Sequence, residues 1–234
     1  MYRIFSIFAL MALVAATSAA AVGSVRDAET VRRALEGRYR NARTLSAVFF
    51  ERYSDGNGGV AAESGTVYFS RPGRMRWDYT SPEKKLFLVD GANAWFYVPA
   101  DHTASRAKMK ESSDWRTPLA LLAGKTDLGK LCSKIDLADS KDPEEQPAAD
   151  GNSVLRCTPR VEMDDKSVPP DVLIEVTAEG WIARIVLHEP GNAQTEFKFG
   201  NWQANAAIPE VQFHFQPPPG VAVVDEESLA GEIH

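Results

Sequence analysis

The most regular feature of the chain is the alternation of large apolar and polar side chains over short segments. Between residues 74 and 80, Met75, Trp77 and Tyr79 alternate with charged residues. Successive side chains of a strand point to opposite faces of the sheet. The segment therefore predicts a strand with one face on an apolar core and the other face toward water.

Similar segments recur along the chain and are separated by turn signals. Asp90-Gly91 stands between two apolar segments, and glycine-containing turns occur at 55–59, 178–180 and 190–192. Such short connections join antiparallel strands into hairpins. In addition to 74–80, the pattern predicts strands at 44–55, 61–73, 84–91, 92–100, 153–160, 169–180, 181–190, 193–205 and 211–218.

Two segments have a helical pattern instead. Apolar residues recur at spacings of three and four from Ala28 to Tyr39, which predicts an amphipathic helix at 27–43. A shorter and more apolar helix is predicted at 117–124, where Thr117 is a suitable N-cap and a proline follows it. A helix of that composition has to lie against another apolar surface.

The predicted elements favour one architecture. About ten or eleven strands with two or three helices indicate an α+β chain that is mainly β, and consecutive hairpins indicate an antiparallel meander. A single sheet that curves into an incomplete antiparallel β-barrel accounts for these elements without a second core. No repeat of about 20–50 residues suggests a solenoid or a propeller.

The first residues have the pattern of a secretory signal peptide. Arg3 precedes an apolar run from 4 to 16, and small residues follow at 18–21. The run is shorter than the roughly 20 residues that a transmembrane helix needs. A buried N-terminal helix is the alternative. We expect residues 1–20 to be the signal peptide and 21–234 to form a single exported domain.

The charge of the chain restricts its partners. The sequence has 26 Lys and Arg against 32 Asp and Glu, a formal net charge of -6, and loss of Arg3 with the signal peptide makes it -7. An acidic chain is poorly suited to nucleic acids and to anionic membranes. We expect a freely diffusing monomer that has no nucleic-acid partner.

Cys132 and Cys157 are the two cysteines of the sequence. In an exported protein such a pair most simply forms a disulfide, and two unpaired thiols are the alternative. An acidic segment without aromatic residues, 136–152, lies between them. We interpret this segment as a solvent-exposed connection.

Known catalytic templates are missing from the sequence. Gly124-Lys125-Thr126 resembles the end of a phosphate-binding loop, but Leu119 stands where that loop needs its first glycine. The four histidines are scattered, and no Gly-x-Ser-x-Gly motif occurs. Asp78, which lies between two aromatic residues, has Arg74 and Arg76 as candidate partners. We therefore expect no enzymatic activity, no cofactor and no metal site.

Aromatic residues are concentrated between positions 49 and 97. A well-filled core explains such a cluster, and so does the lining of a cavity inside a curved sheet. Composition does not distinguish these two interpretations.

Several motifs occur in a specific order along the chain. Within 65–99, a strand ending in Arg71-Pro72 is followed by a tryptophan-containing strand, an apolar strand ending in Asp-Gly, and a Trp-Phe-Tyr strand. A Thr-Pro pair opens 117–124, and a Pro-Pro-x-Gly-Val tail lies within 213–225. These motifs, in this order, resemble the LolA family of periplasmic lipoprotein carriers, and the resemblance covers most of the chain.

The resemblance implies a lid of helices over a hydrophobic cavity that accepts acyl chains. Arg71 occupies the position of the arginine that holds the lid in this family, through hydrogen bonds to the backbone of a lid segment that corresponds to 119–123. A surface ion pair is the alternative for Arg71. The candidate lipid-binding residues are Phe49, Met75, Trp77, Phe87, Leu119 and Leu122.

The resemblance further implies a periplasmic chaperone that takes acylated lipoproteins from an inner-membrane transporter and passes them to an outer-membrane acceptor. A periplasmic regulator that senses lipids or lipoproteins with the same fold is the alternative. A lipid hydrolase lacks the necessary nucleophile motif.

Overall fold

The computed structural model describes residues 27–108, 127–138, 141–160 and 171–226. The predicted signal peptide and the predicted helix at 117–124 lie outside these residues. No helix within the described ranges is long and apolar enough to cross a membrane.

Two α-helices are present in the described residues, α1 (Ala28–Arg40) and α2 (Leu128–Leu131). The predicted amphipathic helix is confirmed as α1. It begins where the carboxylate of Asp27 accepts a hydrogen bond from the backbone N–H of Thr30 at 2.7 Å, and basic residues occupy its last turn. Its buried side chains include Val31, Leu35 and Tyr39.

The strands form one sheet in the order β12-β6-β5-β4-β3-β2-β1-β11-β10-β9-β8-β7. All adjacent pairs are antiparallel except β12 and β6, which are parallel. The strands are β1 (Thr44–Ser54), β2 (Val60–Ser70), β3 (Arg74–Ser81), β4 (Lys85–Val89), β5 (Asn93–Val98), β6 (Thr103–Lys108), β7 (Cys132–Leu137), β8 (Ser153–Pro159), β9 (Val172–Val176), β10 (Ile182–His188), β11 (Gln194–Ala204) and β12 (Ala222–Glu226).

The predicted turns join the expected strands. At the β1–β2 turn, the carboxylate of Asp55 accepts hydrogen bonds from the backbone N–H groups of Asn57 and Gly59. At the β4–β5 turn, Asp90 accepts from Ala92 and Asn93 in the same way. Short aspartate-centred turns of this kind fix which strands pair. The mainly β architecture and the antiparallel meander are thus confirmed.

The count of strands differs from the prediction of about ten or eleven, because the described residues contain twelve. The predicted strand at 211–218 is wrong, since its first part belongs to a 3-10 helix, Glu210–Phe213. The sequence pattern missed β6, β7 and β12. These three lie at or beside the two ends of the sheet, where alternation is weak because fewer faces are buried.

The sheet is strongly curved. The ring centroids of Trp77 on β3 and Phe197 on β11 are 5.6 Å apart, although β2 and β1 lie between these strands. In a flat sheet the same strands would be separated by about 14 Å. The sheet therefore folds its inner face into a concave surface, and the side chains of α1 join the core on that side.

Two segments cover parts of the opposite, outer face. The chain after β11 crosses β3, β4 and β5, where Phe215 packs on Trp95 and Tyr97. Arg76 donates to the carbonyl of Gln212 at 3.1 Å. The outward side of β3 therefore meets protein as well as water, in contrast to the expectation of a purely solvated face.

The acidic segment covers the other part of the outer face. Glu145 is buried and forms an ion pair with Arg156 of β8, and Arg184 of β10 donates to the carbonyl of Gln146 at 2.8 Å. Most of 141–152 is exposed, as predicted, but these contacts hold it against the sheet.

Candidate functional site

The concave face carries the candidate lipid-binding residues that the structure describes. Phe49, Trp77 and Phe87 are buried in the main core, and Met75 is partly buried against it. They come from β1, β3 and β4, and the curvature of the sheet brings them to one surface. The other two candidates, Leu119 and Leu122, lie outside the described residues.

Trp77 is the centre of this aromatic surface. Only 1% of its surface is exposed. Its ring makes edge-to-face contacts, with centroid distances between 4.8 and 6.3 Å, to Phe49, Phe69, Phe197 and Phe199. Contacts of this geometry are favourable beyond their buried area and fix the ring orientations.

Gly65 makes room for Phe49 on the concave face. A Cβ atom at this position would lie 1.9 Å from the carbonyl oxygen of Asp78 and 3.0 Å from the ring of Phe49. No side chain fits there without displacing a strand. The absence of a side chain on β2 therefore lets the Phe49 ring lie against the neighbouring strand.

A buried carboxyl group interrupts this apolar surface. Glu51 follows Phe49 on the same face of β1, and only 2% of its surface is exposed. The hydroxyl of Tyr79 donates to Oε2 of Glu51 at 2.9 Å. Burial raises the pKa of Glu51 to about 7, and the hydrogen bond from Tyr79 opposes part of that increase.

Helix α1 is fastened to the concave side through Tyr39. The hydroxyl of Tyr39 accepts a hydrogen bond from the backbone N–H of Ile182 at 3.0 Å. Its ring contacts both Trp181 and Trp202 edge-on at 5.7 Å, and those two rings stack on each other. The indole N–H of Trp202 donates to the carbonyl of Ile182 at 2.7 Å. The end of α1 is thus held by both packing and hydrogen bonds.

The turn between β9 and β10 also contacts α1. Arg38 lies over the ring of Trp181 at 4.7 Å and donates to the carbonyl of Glu179. Gly180 has a positive φ of 85°, and a Cβ there would lie 2.6 Å from the carbonyl oxygen of Ala34. A groove of about 460 Å³ runs along this junction of the helix and the turn.

Arg71 contacts the end of α1. Its guanidinium group donates to the backbone carbonyls of Tyr39 and Ala42, the latter at 3.2 Å. Half-burial lowers the pKa of Arg71, which nevertheless remains a cation. The segment 119–123, its predicted partner, lies outside the described residues. The structure thus places Arg71 at the junction between the β2–β3 turn and α1.

Glu36 connects α1 with α2. Its carboxylate accepts a hydrogen bond from the backbone N–H of Leu128 at 3.0 Å and pairs with Arg32 at 2.7 Å. Only 5% of Glu36 and none of Leu128 is exposed. A buried carboxylate at the first residue of α2 satisfies a backbone donor that has no partner within the helix.

Cys132 and Cys157 form a disulfide between β7 and β8, and their Cα atoms are 5.5 Å apart. Both residues are buried in the main core. The bridge ties β7, a terminal strand of the sheet, to its neighbour.

Asp78 pairs with Arg76, one of the two predicted partners, at 2.8 Å. Among the described residues, no group of His, Cys, Asp and Glu side chains is arranged to hold a metal ion.

Sequence reasoning missed Glu51, Tyr39 and Glu36 as parts of this site. The signal for Glu51 is its position in the alternation of β1, which places a carboxylate on the same face as Phe49. Glu36 follows Leu35 inside the helical stripe. Their hydrogen-bond partners are distant in the sequence, so the pattern alone does not identify them.

Comparison with known proteins gives consistent matches over most of the chain. The family model described as outer membrane lipoprotein carrier protein LolA matches residues 40–216. The outer-membrane lipoprotein carrier protein of Nitrosospira multiformis is 30% identical over 197 residues, which cover 82% of this chain and 87% of that protein. The protein of the same name from Xanthomonas axonopodis pv. citri is 27% identical over 212 residues, which cover 88% of this chain and 90% of that protein.

The fold is similar to that of a solved structure. The crystal structure of an uncharacterized conserved protein from Thermus thermophilus has a TM-score of 0.50 and 12% sequence identity, and the match covers 85% of this chain and 99% of that chain. At this identity the similarity concerns the fold alone. The family match and the N. multiformis relative give the identification: the chain belongs to the LolA family of outer membrane lipoprotein carrier proteins.

Proposed function

We propose that this protein carries outer-membrane lipoproteins across the periplasm and holds their acyl chains against the concave face of its sheet. Membership of the LolA family is the observation that carries this proposal. The apolar concave face supports it, with Phe49, Met75, Trp77 and Phe87 in contact with the acyl chains. Residues 1–20 direct export, and residues 21–234 act as one carrier domain.

The physical reason for such a carrier is the cost of exposing acyl chains to water. Each methylene group that leaves an apolar environment costs about 0.8 kcal/mol. A lipoprotein with several chains therefore does not cross an aqueous compartment without a protein that covers them. The carrier receives cargo from an inner-membrane transporter and delivers it to an acceptor at the outer membrane.

The proposal is tested by lipoprotein release from membranes. The purified protein is incubated with inner-membrane vesicles that contain the transporter, ATP and a tagged lipoprotein, and the soluble fraction is analysed by mass spectrometry. We expect a soluble complex of carrier and acylated lipoprotein. A lipoprotein whose acylated cysteine is replaced by alanine is the control and should not bind. Absence of any acylated cargo from the soluble fraction would overturn the proposal.

Arg71 is the residue whose role in transfer we propose to test. Arg71→Leu removes the hydrogen bonds to the carbonyls of Tyr39 and Ala42 and loosens α1 on the concave face. We expect impaired transfer to the acceptor with an unchanged circular dichroism spectrum. Arg33→Leu is the matched control, because Arg33 lies on α1 with 74% of its side chain exposed. Wild-type release and delivery by Arg71→Leu would exclude Arg71 from the mechanism.

A further inference from the structure

Two buried polar atoms on the concave face have no hydrogen-bond partner within the described residues. They are Oε1 of Glu51 and Nε1 of Trp77, each with less than 1 Å² of accessible surface. Buried polar atoms in proteins nearly always have a partner, because an unpaired group loses its hydration without compensation. Two such atoms on one apolar surface therefore indicate a missing partner.

The two atoms belong to side chains that are connected through the contacts of Phe49 and Tyr79. The ring of Phe49 is 4.8 Å from that of Trp77 and 5.0 Å from that of Tyr79, and Tyr79 donates to the other oxygen of Glu51. Trp77 and Tyr79 share one face of β3, as Phe49 and Glu51 share one face of β1. The polar groups thus lie within the surface that we propose for acyl chains.

The surroundings of Glu51 favour its uncharged form. Tyr79 faces it from β3, and the ion pair of Glu63 on β2 with Lys85 on β4 lies nearby. The charge of Glu63 raises the pKa of Glu51 and that of Lys85 lowers it, but burial is the largest influence. From β11, the residue opposite Glu51 is Phe197, which has no charge. At and below neutral pH, Oε1 is therefore available as a hydroxyl donor.

Both unpartnered groups are then donors that require an uncharged acceptor. An indole N–H only donates, and a protonated carboxyl group donates through its hydroxyl. Burying a phosphate or carboxylate in this apolar surface would cost far more hydration free energy than burying the uncharged carbonyl oxygen next to an alkyl chain. The carbonyl group that links an acyl chain to its glycerol has these properties.

We propose that Glu51 and Trp77 form a polar site that binds the carbonyl oxygens of acyl esters, so that the protein distinguishes ester-linked chains from plain hydrocarbon. The inference rests on the proposed function, because it assigns a site to the head of the chain that the concave face holds.

The test compares two lipids that differ only in their carbonyl groups. Dioctanoylglycerol and its dioctyl ether analogue are titrated into the full-length mature protein, and displacement of a bound fluorescent fatty-acyl probe is measured. At pH 6 we expect tighter binding of the ester by about five- to tenfold, the ratio that one net hydrogen bond supplies. The preference should decrease above pH 7, where Glu51 loses its proton. Equal affinities at pH 6 would overturn the inference.

Variants test whether Glu51 is responsible for the preference for the ester over the ether. Glu51→Leu should reduce the ester preference at least about threefold, and Glu51→Gln should keep it while removing its dependence on pH. Glu196→Leu is the matched control, because Glu196 lies on the outer face next to Phe197. An unchanged preference in Glu51→Leu would overturn the inference. Failure of both lipids to bind the wild-type protein would instead overturn the proposed function, and the inference with it.

Discussion

Single residues on the concave side combine burial with polarity. Glu51 is hydrogen-bonded to Tyr79 in the aromatic core. The hydroxyl of Tyr39, whose ring contacts two tryptophans, accepts a hydrogen bond from a backbone N–H. The carboxylate of Glu36 on α1 accepts a hydrogen bond from the first backbone N–H of α2. Removal or ionisation of these polar groups should therefore have measurable effects on stability.

The buried carboxyl of Glu51 predicts a particular dependence of stability on pH. Its pKa is about 7 in the folded protein and about 4.5 without burial. The folded state therefore binds the proton more tightly, and this contribution to stability is complete below pH 4.5 and is lost as the pH rises through 7. The loss amounts to at most about 3 kcal/mol.

The Glu51→Gln variant isolates this contribution. Urea unfolding of wild type and variant is measured between pH 4.5 and 8, and the difference in unfolding free energy is plotted against pH. The wild type should lose stability relative to the variant as the pH rises. A difference that is constant across this range would contradict the prediction.

A second prediction concerns the hydroxyl of Tyr39. Tyr39→Phe leaves the N–H of Ile182 buried without its acceptor and should lower the free energy of unfolding by about 1–3 kcal/mol. Tyr97→Phe is the control, since Tyr97 packs on Phe215 through its ring. Chemical denaturation should show a small change for the control. Equally small changes in the unfolding free energy of both variants would show that this hydrogen bond does not help to hold α1.

At the scale of elements, the sequence predicts those that have a strong period and a clear turn. Helix α1 and the hairpins at Asp55, Asp90 and Gly180 are present as expected, because each combines buried apolar positions with a side chain or glycine that suits the turn. The strand predicted at 211–218 is wrong, because its alternate apolar residues cover the outer face of other strands instead of pairing with a neighbour.

The site was predictable to a smaller extent. Alternation identified Met75, Trp77 and Tyr79 as one face of a strand, since the period of two is a local property, whereas Phe87 was indicated by the family resemblance. The pairing of Glu51 with Tyr79 and of Arg71 with the end of α1 depends on how the sheet curves. Curvature brings β3 close to β11, and no short segment of sequence contains that information.

The disulfide between β7 and β8 provides a prediction about an element. Its cysteines are 25 residues apart, and closing a loop of this length contributes about 3 kcal/mol to stability in the chain-entropy model. The double variant Cys132→Ala, Cys157→Ala should be less stable in urea by about this amount. Adding a reductant should destabilise the wild type similarly and leave the variant unaffected. Wild-type stability that does not respond to reduction would contradict the prediction.

At the scale of the whole molecule, one chain segment joins distant parts of the sheet. After β11 the chain crosses the outer face, where Phe213 is buried beside Arg74, and Arg74 forms an ion pair with Glu210. It then passes Phe215 and ends as β12 beside β6. The outer face of β3 to β5 and the edge of β6 are therefore covered by the same segment.

Phe213 should account for much of this attachment. Phe213→Ala removes a ring with 1% exposure and should lower the unfolding free energy by about 3–5 kcal/mol. Val211→Ala, two residues earlier and 72% exposed, is the control and should change it by no more than about 0.5 kcal/mol. Thermal and chemical denaturation both measure this difference. If Phe213→Ala lowered the unfolding free energy as little as Val211→Ala does, the burial of Phe213 would not stabilise the fold.

The parallel pairing of β12 with β6 also has a consequence for how copies of the protein behave toward one another. An open sheet leaves unpaired N–H and C=O groups along its end strands, and such edges recruit strands from other molecules. Here the last strand of residues 171–226 occupies the edge of β6, and it carries Asp225 and Glu226, which accept hydrogen bonds from Arg106 and Ser105. β12 is thereby the end strand on this side of the sheet, and its short length and its carboxylates are features that discourage pairing with a strand of another molecule.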